Sequence, residues 1–155
     1  MPIESSIRPS PAKANMHTAF GKAQNSSFRT GPSLIDGVGL FAVCELPARR
    51  KLGELTGEVI TVAEGDRRAK LLMRIAIVEL PSGITIDATH SECIFKYVNH
   101  SCEPNSYIRC TATRVEFYTL RKISTGEEIT TNYGLTQHAG RLRCRCKSKR
   151  CSEYL

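Results

Sequence analysis

The chain has 155 residues, enough for one domain of ordinary size and not for two. Its 41% apolar and 24% charged content is that of a foldable chain, while 6% aromatics and no Trp argue against a base-stacking platform. No apolar run approaches the roughly 18 residues of a membrane helix, and the first twenty residues lack the apolar stretch of a signal peptide. These features lead to the expectation of a non-secreted intracellular protein without membrane attachment.

Charge is concentrated at the two ends. Residues 1–33 carry four Lys/Arg against one acid, residues 34–139 twelve against thirteen, and residues 140–155 six against one. Basic ends read either as solvated termini or as a footprint for nucleic acid or an acidic partner.

Residues 1–30, rich in Ser, Pro, Ala, Asn and Lys without periodicity, read as a flexible N-terminal arm. From Ser33 the pattern is one of short strands. Leu34-Ile35, the turn Asp36-Gly37-Val38-Gly39 and Leu40–Val43 have the signature of a hairpin. Residues 51–60 give a strand pair broken at Gly57, and residues 62–74 form the best helical stretch. Ile75–Leu80 and Ile84–Asp87 flank Pro81-Ser82-Gly83 as a second hairpin. Ser106–Thr111 pairs with Arg114–Leu120, and Ile129–Asn132 is a last short strand. One helix, many strands and no βαβ alternation predict a mostly β domain of several small antiparallel sheets.

The seven cysteines form an odd set in a chain without an export signal, which argues against a complete disulfide framework. Cys144, Cys146 and Cys151 are clustered as C-x-C-x4-C. Three thiolates need a fourth ligand to close a tetrahedral zinc site, and it has to come from far away in sequence. Cys44, Cys93 and Cys110 read as small buried hydrophobes.

Two segments fit neither regular strand nor simple turn. Residues 97–105, Tyr-Val-Asn-His-Ser-Cys-Glu-Pro-Asn, are dense in polar groups and interrupted by Pro104. Residues 126–134, Gly-Glu-Glu-Ile-Thr-Thr-Asn-Tyr-Gly, place Tyr133 at a strand end directly before a glycine. By themselves Glu127 and Glu128 read as a solvated turn. Taken in order with Gly37-Val38-Gly39-Leu40 and the cysteine tail, these segments resemble the SET-domain protein-lysine methyltransferases over residues 32–155. The N-H-S-C-x-P-N stretch is the most specific element of that resemblance, and the G-x-G alone is weak.

The resemblance implies a SET fold with a threaded C-terminal segment, a SET domain over residues 31–137 and a zinc-binding post-SET tail over 138–155. It makes Cys102 the fourth ligand, beside Cys144, Cys146 and Cys151, of a structural zinc ion. It implies S-adenosylmethionine as methyl donor, held around Gly37, Gly39, Leu40, Lys96, Tyr97, Asn99 and His100, and Tyr133 as the catalytic residue. The implied partner is a protein with an exposed lysine, histone or otherwise, with direct nucleic-acid binding secondary. The location is cytoplasmic for a bacterial source and nuclear, on chromatin, for a eukaryotic one.

Leu55 stands where the family often has Tyr, and Thr131 where an aromatic commonly narrows the lysine channel. Asp87, a further channel candidate, reads equally as structural or peptide-contacting; Leu55 removes a possible hydroxyl partner for the lysine amine, and the smaller Thr131 implies a wider channel able to take higher methylation states. Leu55 and Thr131 also motivate the rival reading of a degenerate SET module that binds without turnover. A zinc-stabilised nucleic-acid binder is the second rival.

Overall fold

The computed structural model describes residues 27–72, 74–134, 140 and 142–155. Residues 1–26 of the expected arm, and the expected boundary between residues 137 and 138, lie outside the described residues. Among the described residues, ten short strands make three sheets around one short α-helix, as the strand-rich pattern predicts.

The first sheet contains β1 (Phe28–Pro32), β2 (Val38–Ala42), β10 (Glu128–Thr131) and β7 (Asn99–His100), in the order β1-β2-β10-β7. β1 and β2 form the expected hairpin, but its turn is 33–37, and β1 begins at Phe28, inside the segment read as arm. β7 is two residues long and pairs in parallel with β10, Thr130 opposite Asn99 and Thr131 opposite His100. This parallel contact lays the C-terminal segment against the signature loop.

The second sheet is β3 (Lys51–Leu55), β9 (Val115–Thr119) and β8 (Ser106–Cys110). The third is β4 (Glu58–Thr61), β6 (Ile84–Asp87) and β5 (Ile77–Glu79), with β5 and β6 forming the hairpin expected around Ser82-Gly83. β3 and β4 are separated at Thr56-Gly57 and join different sheets, where the sequence suggested a pair. A Cβ on Gly57 would run into the backbone of Asp87 and Ala88, so the crossing between these sheets requires glycine.

Helix α1 (Val62–Leu71) starts at Thr61, whose hydroxyl accepts from the Glu64 amide, and gains a Glu64–Arg68 pair one turn on. It ends three residues short of the expected stretch because Leu72 is extended. No helix among the described residues is long and apolar enough to cross a membrane.

The core lies where the sheets meet. Leu40, Leu46, Leu55, Val115, Ile123 and Ile129 are buried there. Phe95 stacks on Phe117 at 5.2 Å and meets Phe28 edge-on at 5.6 Å. Its ring occupies the space a Cβ on Gly53 would take, so that glycine lets β3 pass beneath the aromatic cluster. Burying one such ring contributes about 2–3 kcal/mol.

Candidate active site and cysteine cluster

Tyr133 follows β10 directly, and its setting is built by three chain-distant segments. Its backbone N–H donates to His100 Nδ1 at 3.2 Å, its phenol donates to the Val98 carbonyl at 2.9 Å, and the two rings meet edge-on at 5.3 Å. The residue keeps 42% of its surface open while the hydroxyl points inward. Burial, together with the negative charges of Asp36 and Glu128, pushes the phenol up to about 12. It therefore stays protonated at neutral pH and serves as a hydrogen-bonding group, not as a base.

The loop before β2 is tied to this centre by side chains. The Asn99 amide nitrogen donates to the Asp36 carbonyl at 3.1 Å, the Val38 carbonyl at 3.2 Å and Glu128 Oε1 at 2.8 Å. The Ser33 hydroxyl donates to the same carboxylate at 2.8 Å. Glu128 is thus no solvated turn residue: its carboxylate clamps the glycine loop to the signature. A Cβ on Gly39 would collide with that carboxylate, and Gly37, at φ +45°, faces the Arg74 guanidinium. The need for both glycines is met inside the protein itself, and the Leu40 side chain belongs to the core.

Asn105 closes the other side of β10. It is 2% exposed; its amide donates to Glu127 Oε1 and the Glu128 carbonyl, and its carbonyl accepts the Thr130 N–H, all within 2.9 Å. Arg121 and the Ser124 N–H hold Glu127 from outside. The sequence reading left Ser33, Asn105 and the Glu127–Glu128 pair without these roles. Asn105 stands in the signature and Glu127–Glu128 in the Gly-Glu-Glu block, but neither motif names a partner, and each has one some twenty to ninety-five residues away.

Cys102, Cys144, Cys146 and Cys151 converge, with their sulfurs within 4.8 Å of one another and Cys102 and Cys144 at 3.9 Å. A zinc–sulfur bond of about 2.3 Å in a tetrahedron demands sulfurs about 3.8 Å apart, so the four residues fit a zinc ion after slight contraction. Backbone N–H groups of Cys102, Ser152 and Glu153 point at sulfurs of the set, as thiolates require. Burial works against the Cys146 thiolate, but the Cys102 N–H and Ser148 outweigh it and hold that thiol down to about 6. Lys147 and Glu153 adopt positive φ, a strain of about 1–3 kcal/mol each that persists only where surroundings enforce it.

The tail docks onto the centre by Arg145 to Asp36 at 3.9 Å and by the Lys149 N–H to Glu103 at 3.0 Å. His100 joins the two. Since its Nδ1 accepts from Tyr133, its Nε2 carries the proton and donates to Cys102 Sγ at 3.3 Å. Burial lowers its proton affinity, which favours this neutral form.

A cavity of about 480 Å³ opens beside Tyr133. Its lining includes Leu55, Phe95, Val98, Phe117, Thr131 and Tyr133 together with residues of α1, residues 75–79 and Thr85. Leu55, Thr131 and Tyr133 all line this cavity. Asp87 does not line the cavity. It is buried and bound to Arg68 at 2.8 Å and to the Thr89 N–H. Lys96 lines the cavity, with its ammonium held by the Ser91 carbonyl and set over the Tyr97 ring. Among the described residues, the buried side-chain polar atoms without a partner are the hydroxyls of Thr131 and Thr85. Such a group costs about 1–3 kcal/mol.

Comparison with known proteins agrees with this geometry. Residues 37–134 match the family model described as "SET domain". A "Histone-lysine N-methyltransferase, H3 lysine-4 specific" from Schizosaccharomyces pombe is 30% identical over 162 residues, covering 99% of this chain and 18% of that protein. "Histone-lysine N-methyltransferase trithorax" from Drosophila melanogaster is 30% identical over 131 residues, 79% of this chain and 4% of that protein. An "H3 lysine-36 specific" enzyme from Eremothecium gossypii is 32% identical over 129 residues, 77% of this chain and 19% of that protein. The chain spans about a fifth or less of the length of these relatives.

Proposed function

Since the chain belongs to the SET-domain family, we propose that it transfers a methyl group from S-adenosylmethionine to the side-chain amine of a lysine in a protein. The observation that carries this reading is the convergence on Tyr133 of the glycine loop, the signature segment and the cysteine tail. Relatives named for different histone H3 lysines match at similar identity, so a histone is the substrate class to try first, with no lysine singled out. Chromatin is the corresponding location.

The donor fits the site electrostatically. Asp36 and Glu128 set a negative field at Tyr133 that suits a cationic sulfonium. When bound, S-adenosylmethionine supplies an activated methyl, which the amine nitrogen accepts as the carbon–sulfur bond breaks and its electron pair stays on sulfur. The residues named from the resemblance, Gly37, Gly39, Leu40, Lys96, Tyr97, Asn99 and His100, are proposed to surround the donor. For Asn99 the amide nitrogen is already committed to protein atoms, so its part is to hold the loop in shape.

The acceptor must arrive as a free amine. A lysine at pH 7 is protonated, and reversing that costs about 4–5 kcal/mol from a reference pKa near 10.4. Beside Tyr133 the apolar surface of Leu55, Phe95, Val98 and Phe117 disfavours the ammonium, and the His100 imidazole is committed to the Tyr133 N–H and to Cys102 Sγ. Deprotonation then runs through water, without a dedicated base. The Tyr133 phenol, fixed by Val98, orients the reacting groups.

Cys102, Cys144, Cys146 and Cys151 are proposed to hold a structural zinc ion that fixes the tail against Asp36 and Glu103. Incubation with radiolabelled donor and core histones tests the function. Label should enter histone lysines, and its absence from histones and from a wider panel of basic proteins would favour a binding module without turnover.

A further inference from the structure

Asp87 lies outside the cavity, yet it holds two segments that line it. Its side chain is 2% exposed, and both carboxylate oxygens are used. Oδ2 accepts from the Arg68 guanidinium at 2.8 Å and ties β6 to α1, which contributes Val62, Gly65 and Asp66 to the cavity lining. Glu64 and Glu58 take further N–H groups of Arg68, so the guanidinium is set from three sides. The helix sits close to the sheet: a Cβ on Gly65 would stand 3.0 Å from Thr85 Cγ2. Oδ1 of Asp87 accepts the Thr89 N–H at 2.9 Å, and the Thr89 hydroxyl accepts the Ala76 N–H at 3.0 Å. The Ala76 carbonyl accepts the Ala88 N–H at 2.8 Å, which fixes the start of the lining stretch 75–79. A buried carboxylate is costly unless its acceptors are matched, so this one enforces both ties at once.

We infer that Asp87 is a positioning residue for the protein substrate: through Arg68 and Thr89 it sets α1 and residues 75–79 at the spacing the acceptor chain needs. This rests on the methyltransferase reading and goes beyond it by naming what shapes the acceptor side. The proposed donor side is held by a separate network of Ser33, Asn99 and Glu128. Arg74, next to the lining stretch, reaches Asp36 of the glycine loop at 3.3 Å, but both side chains are well exposed and such a pair contributes little. Loss of the Asp87 carboxylate therefore acts on acceptor affinity and spares the donor.

D87N tests this with almost no change of size. The amide offers one acceptor where two N–H donors converge and turns its own NH2 toward the other, so one tie is lost. R68M and T89V break the two ties singly and serve where D87N folds poorly. Each full-length variant is assayed for labelled methyl transfer to core histones, calorimetric binding of S-adenosylhomocysteine and amide hydrogen exchange. In D87N the KM for histones should rise about five- to tenfold, with kcat per donor-binding chain and donor-product affinity each within about twofold. R68M and T89V should each raise KM about two- to fourfold. Amides of α1 and of residues 75–79 should exchange faster than in wild type, and those of residues 98–105 at the same rate. An unchanged KM in all three variants would overturn the inference. So would donor-product affinity falling as far as KM rises, the mark of a merely structural role. Wild-type transfer with no change of KM in the variants defeats this inference alone. No transfer by wild type, with exchange quickened only in α1 and residues 75–79, defeats the methyltransferase reading and leaves Asp87 as the residue that sets the cavity's shape.

Discussion

Two regions that meet at Tyr133 are built on opposite principles. On the side of the glycine loop and the signature, every polar group of Asn99, Asn105 and Glu128 described above is directed at another part of the chain. Across the ring, a cavity opens whose lining near Tyr133 is apolar, in Leu55, Phe95, Val98 and Phe117. The first region is a fully connected polar network, rigid because breaking one bond strands another buried group. The second is an open space walled by apolar side chains that no such network fills. The difference separates the part of the site that must keep its shape from the part that must accept a substrate.

Loss of the proposed zinc site should have the largest effect, because it would release the tail from the rigid side. Cys146→Ser, or chelation, should take bound zinc from one ion per chain to well below one-half by elemental analysis, make residues 142–155 sensitive to protease, and abolish methyl transfer. Full zinc content in the serine variant would show that the four sulfurs do not act as one site.

Asn105→Ala attacks the network itself. It strands the Thr130 N–H and the Glu128 carbonyl, at about 1–3 kcal/mol for each buried partner left unsatisfied, and should lower the melting temperature accordingly. A melting temperature unchanged from wild type would contradict the rigidity assigned to this side.

A smaller effect concerns a carboxylate remote from both regions. Hydrogen bonds from Lys51 and then Arg109 hold Glu116 down to about 2, below its ordinary 4.5. Because the folded form binds its proton less readily, this contribution is present above pH 4.5 and is lost as pH falls toward 2. Denaturation curves between those limits should show Glu116→Gln losing less stability on acidification than wild type. Parallel curves would remove the ion pair from the account.

Much of the fold is written in local signals. Pro81-Ser82-Gly83 announces the β5–β6 hairpin, and alternating residues on both sides of Thr111 announce β8 and β9. The convergence at Tyr133 was legible through the resemblance of four ordered motifs, and the fit of Cys102 to the tail followed from the same source. What could not be read was the choice of partner. Lys51–Leu55 and Glu58–Thr61 look like a pair, yet each gains more from strands of other sheets. Asn99-His100 is too short to show any period, and its parallel pairing depends on β10 arriving from thirty residues away. Gly39 reads as clearance for a ligand, whereas in the fold it is clearance for Glu128.

The most direct measurement of the central claim compares wild type with Tyr133→Phe in two assays on the same protein: calorimetric binding of S-adenosylhomocysteine and labelled methyl transfer to a lysine peptide. The phenol orients reacting groups and is not the donor's anchor, so binding should stay within about threefold while transfer falls at least about a hundredfold. Transfer at the wild-type rate in the variant, or no uptake of the adenosyl compound by either protein, would contradict the assignment.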